Sequence, residues 1–261
     1  MSRSVGVVVP AYRPDTARLA AYVRALDERL RPATIRIELD DPRPGVVDEL
    51  RGLPATVRTV PRRRGKGAAV TAGFEALDTD VLLFVDADGS TPAESVARVL
   101  DPVVDGEADL SVGSRRHPDS VVASHQTFAR RRLGDGFAWL ARRLLEAELF
   151  DYQCGAKALT ATTWETVRPH LYEPGFAWDV EFVAVAGALD RRIAEVPVRW
   201  EDQPGSTVDP VGASVDMARS LLVSRHRAKL IRENRLHALL DAGRTEELAL
   251  VDRFTPEPAD E

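Results

Sequence analysis

The sequence predicts an α/β protein built on a mostly parallel sheet with helices on its faces. Three observations predict it. Short runs rich in β-branched apolar residues recur through the amino-terminal half, each is followed by a stretch of helical character, and several end abruptly in Asp, Gly or Pro. With 261 residues and 44% hydrophobic content, the chain can bury a sizeable core.

Val5–Val9, bounded by Pro10, reads as the first buried strand, and Asp15 or Thr16 suits the cap of the helix after it. Thr34–Leu39 reads as a strand, Gly45–Arg51 as a short helix, Ala55–Val60 as a strand, Lys66–Leu77 as a helix and Val81–Val85 as the next strand. Ser90-Thr91-Pro92 gives a cap and first-turn signal for a helix to Val104, and Ala108–Val112 continues the alternation. The pattern then changes. His125–Leu149 spaces Phe128, Leu133, Phe137, Leu140, Leu144 and Leu145 for one helical face, with a break expected at Gly134-Asp135-Gly136. Arg192–Trp200 reads as a strand, Ser214–Leu240 as a second long helix and Thr255–Glu261 as a disordered tail. The organisation expected is a main domain over 1–212, a basic amphipathic helix over 213–242 packed on or beside it, and a partly disordered tail over 243–261.

Several function classes drop out on composition. No apolar run approaches the roughly 20 residues that cross a bilayer, and the start, MSRSVGVVVPAY, lacks a signal-peptide core, so a cytoplasmic protein is expected. One cysteine, Cys154, leaves no disulfide framework and no multi-cysteine zinc site. A formal charge of -6 argues against nucleic acid as a partner.

In open α/β sheets ligands sit beyond the carboxyl ends of the strands. Pro10-Ala11-Tyr12, Asp40-Asp41, Asp86-Ala87-Asp88 and Gly113-Ser114-Arg115 all follow expected strands and so can meet along one edge. Asp86 and Asp88, with a small residue between them and Gly89 after, can turn two carboxylates to one space. Hard oxygen ligands of this kind suit Mg²⁺ or Mn²⁺, with a phosphate-bearing ligand. A solvated acidic turn capping the next helix is the bland alternative. Arg62-Arg63-Arg64-Gly65-Lys66-Gly67 has the look of a phosphate loop opening a helix, although Gly67 follows Lys66 where a Walker motif has Ser or Thr, and no GxGxxG opens the first helix.

Taken in order, VVVPAY, RRRGKGAAVTAGFEAL, DADG and SVGSRR resemble the family-2 glycosyltransferases with a GT-A fold. Asp151 to Lys157 (DYQCGAK), Phe176 to Glu181 (FAWDVE) and Glu195 to Trp200 (EVPVRW) look like blocks of the dolichyl-phosphate glucosyltransferase branch, so the resemblance runs from about Val5 to Ser206. It implies a metal-dependent, inverting transfer of a hexose from a nucleotide sugar, UDP-glucose first among them, to a polyprenyl phosphate such as dolichyl phosphate. It also implies site residues. Pro10, Ala11 and Tyr12 match the segment against the base, Asp40 or Asp41 the acid that reads uracil, and Asp86, Ala87 and Asp88 the turn that holds metal and diphosphate; Lys66, in the loop that resembles a phosphate loop, is a further candidate for binding the nucleotide sugar. Arg115 matches the arginine of the GSR block, while Asp179 and Glu181 match the acidic pair near the transferred sugar and acceptor. Arg130, Arg131 and Arg132 are further candidates for gripping an acceptor phosphate. The chain departs from the family in Pro42-Arg43 after the two aspartates, in Arg13-Pro14-Asp15 after the tyrosine, and in Thr207 where a lysine is usual.

A hydroxyl acceptor would instead require Asp179 or Glu181 as general base. A nucleotide-sugar-binding protein without turnover is the reading from another class. The helix around SVDMARSLLVSRHRAKLIRENRL carries Arg219, Arg225, Arg227, Lys229, Arg232 and Arg235 against Asp216 and Glu233, which suits peripheral contact with an anionic membrane at its cytoplasmic face.

Overall fold

A computed structural model of the chain describes residues 3–123, 128–201, 210–241 and 247–253. The first half alternates β1 (Val5–Tyr12), α1 (Thr16–Leu30), β2 (Thr34–Asp40), α2 (Val46–Glu49), β3 (Thr56–Val60), α3 (Lys66–Glu75), β4 (Val81–Val85), α4 (Ala93–Val104) and β5 (Leu110–Ser114). The second half holds β6 (Val121–Val122), α5 (Phe128–Leu144), β7 (Ala156–Thr160), α6 (Ala161–Val167), α7 (Trp178–Ala188), β8 (Ile193–Pro197), β9 (Arg199–Trp200), α8 (Pro210–Ile231) and α9 (Arg235–Asp241).

Seven strands form one sheet in the order β3-β2-β1-β4-β7-β5-β8. Six share one direction, and β7 runs against both β4 and β5. The apolar strands are covered on both sides, which is why Val7, Val8, Val9 and all of β4 are buried. Leu19, Val23 and Leu26 of α1 and Val96 and Val99 of α4 fill one face. Val70 and Phe74 of α3 and Trp178, Phe182 and Val183 of α7 fill the other. α7 is apolar nearly all round because α3, α6 and α8 pack about it.

The expected α/β architecture with a mostly parallel sheet is present, and β7 is the strand of that sheet that the sequence did not predict. Its first two residues, Ala156 and Lys157, close the DYQCGAK block, whose loop-like start hid the strand. The long helix expected from His125 begins at Phe128 among the described residues and runs unbroken through Gly134 and Gly136, since Gly134 lies against the Arg116 guanidinium and Asp135 pairs with Arg116 at 2.6 Å. Arg192–Trp200 divides into β8, in the main sheet, and β9, which pairs with β6. The carboxy-terminal helix also divides, at a left-handed Glu233, with the Asn234 side chain accepting from the Leu236 and His237 amides. α8 packs on α7 and α5. Residues 247–253, assigned to a tail above, return to the domain, where Leu250 is buried and its amide donates to Leu171. The Thr255–Glu261 stretch lies outside the described residues. Among those described, no helix is long and apolar enough to cross a membrane.

Candidate functional site

β4 delivers its last apolar residue, Val85, and then the acids. The Asp86 amide donates to Gly155 O at 2.8 Å, fixing the strand end against the start of β7. Gly89, at φ 70°, turns the chain back so that the Ser90 amide donates to Asp88 Oδ1 at 2.9 Å. Burial and then the charge of Asp86 push the Asp88 carboxyl above the ordinary aspartate range. Asp88 has no ion pair among the described residues, so two acids crowd one turn with little relief for the second.

Asp86, 35% exposed at its side chain, meets Lys66 Nζ at 2.8 Å. The same ammonium reaches Asp179 Oδ2 at 2.7 Å, and Asp179 Oδ1 accepts from Lys157 Nζ at 2.5 Å. Lys157 also donates to Cys154 O at 2.8 Å. Asp179 and Lys157 are fully buried, so the four charges alternate in sign from the core to the cleft. Burial opposes both charged forms. For Asp179 the two lysines outweigh it and hold the carboxyl below its usual range, and for Lys66 the pull of Asp179 and then Asp86 outweighs it and keeps the ammonium protonated. The Phe84 ring lies 5.1 Å from the Lys66 ammonium and 5.4 Å from that of Lys157, and Phe176, 53% exposed, lies 5.2 Å from Lys66.

Arg115 leaves the end of β5 and forks onto Asp151, with Nε at 2.6 Å from Oδ2 and Nη2 at 3.0 Å from Oδ1. Burial would raise the Asp151 carboxyl, but Arg115 lowers it to about 2. The guanidinium also lies 5.6 Å from the Trp200 ring, and Glu195 accepts from the Phe150 and Asp151 amides, which fixes the loop carrying Asp151. Arg115 is therefore a cation fixed by Asp151 and within range of the charge of Asp86.

At the ends of β1 and β2, Tyr12 is exposed, with the Arg63 and Arg13 guanidinium carbons 4.4 and 5.3 Å from its ring. Pro10 and Ala11 lie in β1 beside Glu38 and Leu39 of β2. Asp41, left-handed at φ 47°, pairs with Arg13 at 2.7 Å on the surface. Asp40 is buried and faces the other way, accepting from Arg64 N at 2.6 Å, Arg64 Nε at 2.7 Å and Gly65 N at 3.3 Å.

Those contacts correct the phosphate-loop expectation for residues 62–67. The amides of Arg64 and Gly65 go to Asp40, while those of Gly67 and Ala68 donate to Gly175 O and Pro174 O at 3.2 and 3.0 Å. The helix start is a clasp for the 173–175 loop, so close that a Cβ on Gly65 or Gly67 would overlap its carbonyls. The Lys66 side chain is the part of this loop that joins Asp86.

Asp179 and Glu181 do not form one site. Two residues apart on α7, they diverge, and Glu181 accepts from the Tyr172 and Glu173 amides at 2.9 and 2.8 Å and pairs with Arg227 of α8. Arg130, Arg131 and Arg132 lie in α5, and their side chains are outside those described. The basic face expected of the last long helix is largely committed. Arg225 donates to Leu144 O, Arg227 pairs with Glu181 and Glu247, Lys229 with Glu146 and Arg232 with Asp190. Lys157, Asp151, Gly155 and Glu195 carried no assigned role in the sequence reading. The usable signal was lysine itself, since the chain has only Lys66, Lys157 and Lys229 among its 35 basic residues, and two of them meet on Asp179.

Among the described residues no group of three or more His, Cys, Asp or Glu converges. A divalent cation would thus be held by Asp86 and Asp88, with ligand oxygens completing the shell. The donor set fits a hard cation, and the upward push on Asp88 from its neighbour's charge is what such a cation would relieve.

A sequence profile described as Glycosyl transferase family 2 matches residues 7–150. A dolichyl-phosphate beta-glucosyltransferase of Dictyostelium discoideum is 35% identical over 170 residues, covering 64% of this chain and 52% of that protein. The glycosyltransferase AglD of Haloferax volcanii is 30% identical over 230 residues, covering 84% of this chain and 36% of that protein. The chain thus spans about half the length, or less, of these curated relatives. Among solved structures, glucosyl-3-phosphoglycerate synthase from Mycobacterium tuberculosis, in complex with Mn²⁺, UDP and phosphoglyceric acid, matches with a TM-score of 0.65 at 18% identity, covering 85% of this chain and 78% of that one. At that identity the likeness speaks for the fold, which is GT-A.

Proposed function

The chain belongs to glycosyl transferase family 2, and from that premise we propose that it transfers glucose from UDP-glucose to a polyprenyl phosphate of the dolichyl type, with inversion at the sugar carbon. The observation that supports the reading is the pair Asp86 and Asp88 at the tip of β4, with Lys66, itself anchored on Asp179, paired to Asp86 and with Arg115, anchored on Asp151, within range of the charge of Asp86. Asp86 and Asp88 would hold Mg²⁺ or Mn²⁺, which would supply charge neutralisation for the departing nucleoside diphosphate. Lys66 adds a positive charge from below the same turn. The exposed Tyr12 ring and Asp41, beyond the carboxyl ends of β1 and β2, receive the nucleoside. The relative solved with Mn²⁺ and UDP has this donor chemistry in the same fold.

The acceptor follows from what the carboxylates are doing. A sugar or other hydroxyl needs a base to take its proton, yet Asp179 is neutralised by two lysines and Glu181 is buried against Arg227. A phosphate monoester is already anionic near neutral pH and needs no base. It needs a fixed cation to offset its repulsion from the donor, and Arg115, locked by Asp151, supplies one. The dolichyl-phosphate relatives point the same way. Contact with the bilayer that carries such an acceptor falls to exposed apolar side chains, Trp139, Leu222 and Leu236 among them, because most of the basic helix face is paired.

Incubation with Mn²⁺, labelled UDP-glucose and a polyprenyl phosphate tests this. Labelled lipid formed only when the acceptor is present supports it. Tight UDP-glucose binding with no product on lipid phosphate or hydroxyl acceptors would leave a binding protein instead.

A further inference from the structure

A carboxylate without exposure is costly unless paired, and Asp179 has two cations where one would neutralise it. Lys157 offers nothing to the cleft, since its buried ammonium is taken up by Asp179 Oδ1 and Cys154 O. Lys66 is the member of the trio that reaches the mouth. An ammonium has three donors, and Lys66 uses one on Asp86 and one on Asp179, which leaves one for a ligand.

We propose that Asp179 and Lys157 are positioning residues for Lys66, anchoring its ammonium at the cleft floor so that it stays on the diphosphate oxygens when Asp86 turns to a divalent cation. With Asp86 as its single partner, Lys66 would be repelled from the turn as a cation arrived. With Asp179 behind it, it keeps a carboxylate while its front donors exchange Asp86 for phosphate. Lys157 prevents Asp179 from swinging towards the cleft, because it holds the far oxygen of the same carboxylate against the start of β7.

The inference rests on the donor-site reading above. The test is a double-mutant cycle read by calorimetric UDP affinity in the presence of Mn²⁺, on Lys66→Met, Asp179→Asn and the combination, with melting curves to confirm folding. Each single variant is expected to weaken UDP binding by about tenfold or more, as support residues behind a metal site commonly do. Because Asp179 acts through Lys66, the combination should bind no worse than Lys66→Met alone, within about twofold. Multiplying losses, roughly a hundredfold together, would overturn the proposal by showing that Asp179 acts independently. Should Asp179→Asn fail to fold, Lys157→Met enters the same cycle, since it leaves the Asp179–Lys66 pair intact. If the wild-type chain does not bind UDP with Mn²⁺, the donor-site reading falls and takes this inference with it, whereas binding with multiplying losses removes the inference alone.

Discussion

Replacing Gly155 with alanine should disable the acidic turn without touching an acid. Gly155 precedes β7, and its carbonyl accepts from the Asp86 amide at 2.8 Å, so its backbone cannot retreat from β4 without breaking that bond. A Cβ there would overlap Oδ2, Cγ and Cβ of Asp86. To reach an ordinary contact distance the carboxylate would have to move by roughly 1–2 Å. The Lys66–Asp86 contact at 2.8 Å does not survive such a move, and neither does a metal geometry that tolerates only a few tenths of an ångström. Overpacking should cost about 1–3 kcal/mol of stability, since φ at Gly155 is not left-handed and alanine is otherwise allowed. Mn²⁺-dependent UDP affinity should fall by about 10–100-fold. Calorimetry with UDP and Mn²⁺, alongside a thermal melt, reads both. A Gly155→Ala chain that melts a few degrees lower and still binds UDP with wild-type affinity would refute the idea that Asp86 must stay where the glycine lets it stand.

Three further outcomes are expected. Asp151, held near pKa 2 instead of 3.8 by Arg115, contributes about 2 kcal/mol of stability above roughly pH 4, lost as pH falls towards 2 because a depressed carboxyl is stabilising only while ionised. Urea unfolding of wild type and Asp151→Asn should therefore differ most near neutrality and converge in acid, and a difference that does not shrink with falling pH would contradict the pairing. Glu181→Gln should lower the melting temperature through Arg227 while leaving UDP affinity within about twofold, and a large loss of binding with intact folding would return Glu181 to the donor site. Attachment to anionic vesicles, measured by sedimentation, should be little affected by high salt, since three basic side chains of α8, and Arg232 just past its end, are already paired or bonded within the chain. Binding abolished by salt would show that the basic face is available after all.

Much of the fold was legible because it rests on local rules. β-branched runs, a Pro or Asp at their ends and a cap signal such as Ser90-Thr91-Pro92 recover β1 to β5 and the helices between them, apart from small shifts at their ends. β7 was not legible, since AKALT has neither strong alternation nor a β-branched core, and what makes it a strand is the slot between β4 and β5. The continuity of α5 through two glycines is a tertiary effect as well, supplied by Arg116. In the site, Asp86-Ala87-Asp88 could be found from sequence because both acids follow one strand. Of the partners that govern them, Asp179 was named only through the family resemblance, while Lys157 and Gly155 come from a distant segment that the insertion of β7 beside β4 brings to the turn, so spacing gave no hint of them. The glycines of residues 65–67 misled for a related reason. Glycine permits close approach of any backbone, and here that backbone is the 173–175 loop rather than a phosphate.

Donor binding depends, on this mechanism, on Asp86 and Asp88 together holding a divalent cation for the diphosphate. Titrating UDP into the wild-type chain and into Asp88→Asn, each with and without Mn²⁺, tests it most directly. Binding should depend on Mn²⁺ in the wild type and be lost in Asp88→Asn, with an unchanged or higher melting temperature because a buried carboxylate crowded by Asp86 has been removed. Equal UDP affinity in all four titrations would contradict it.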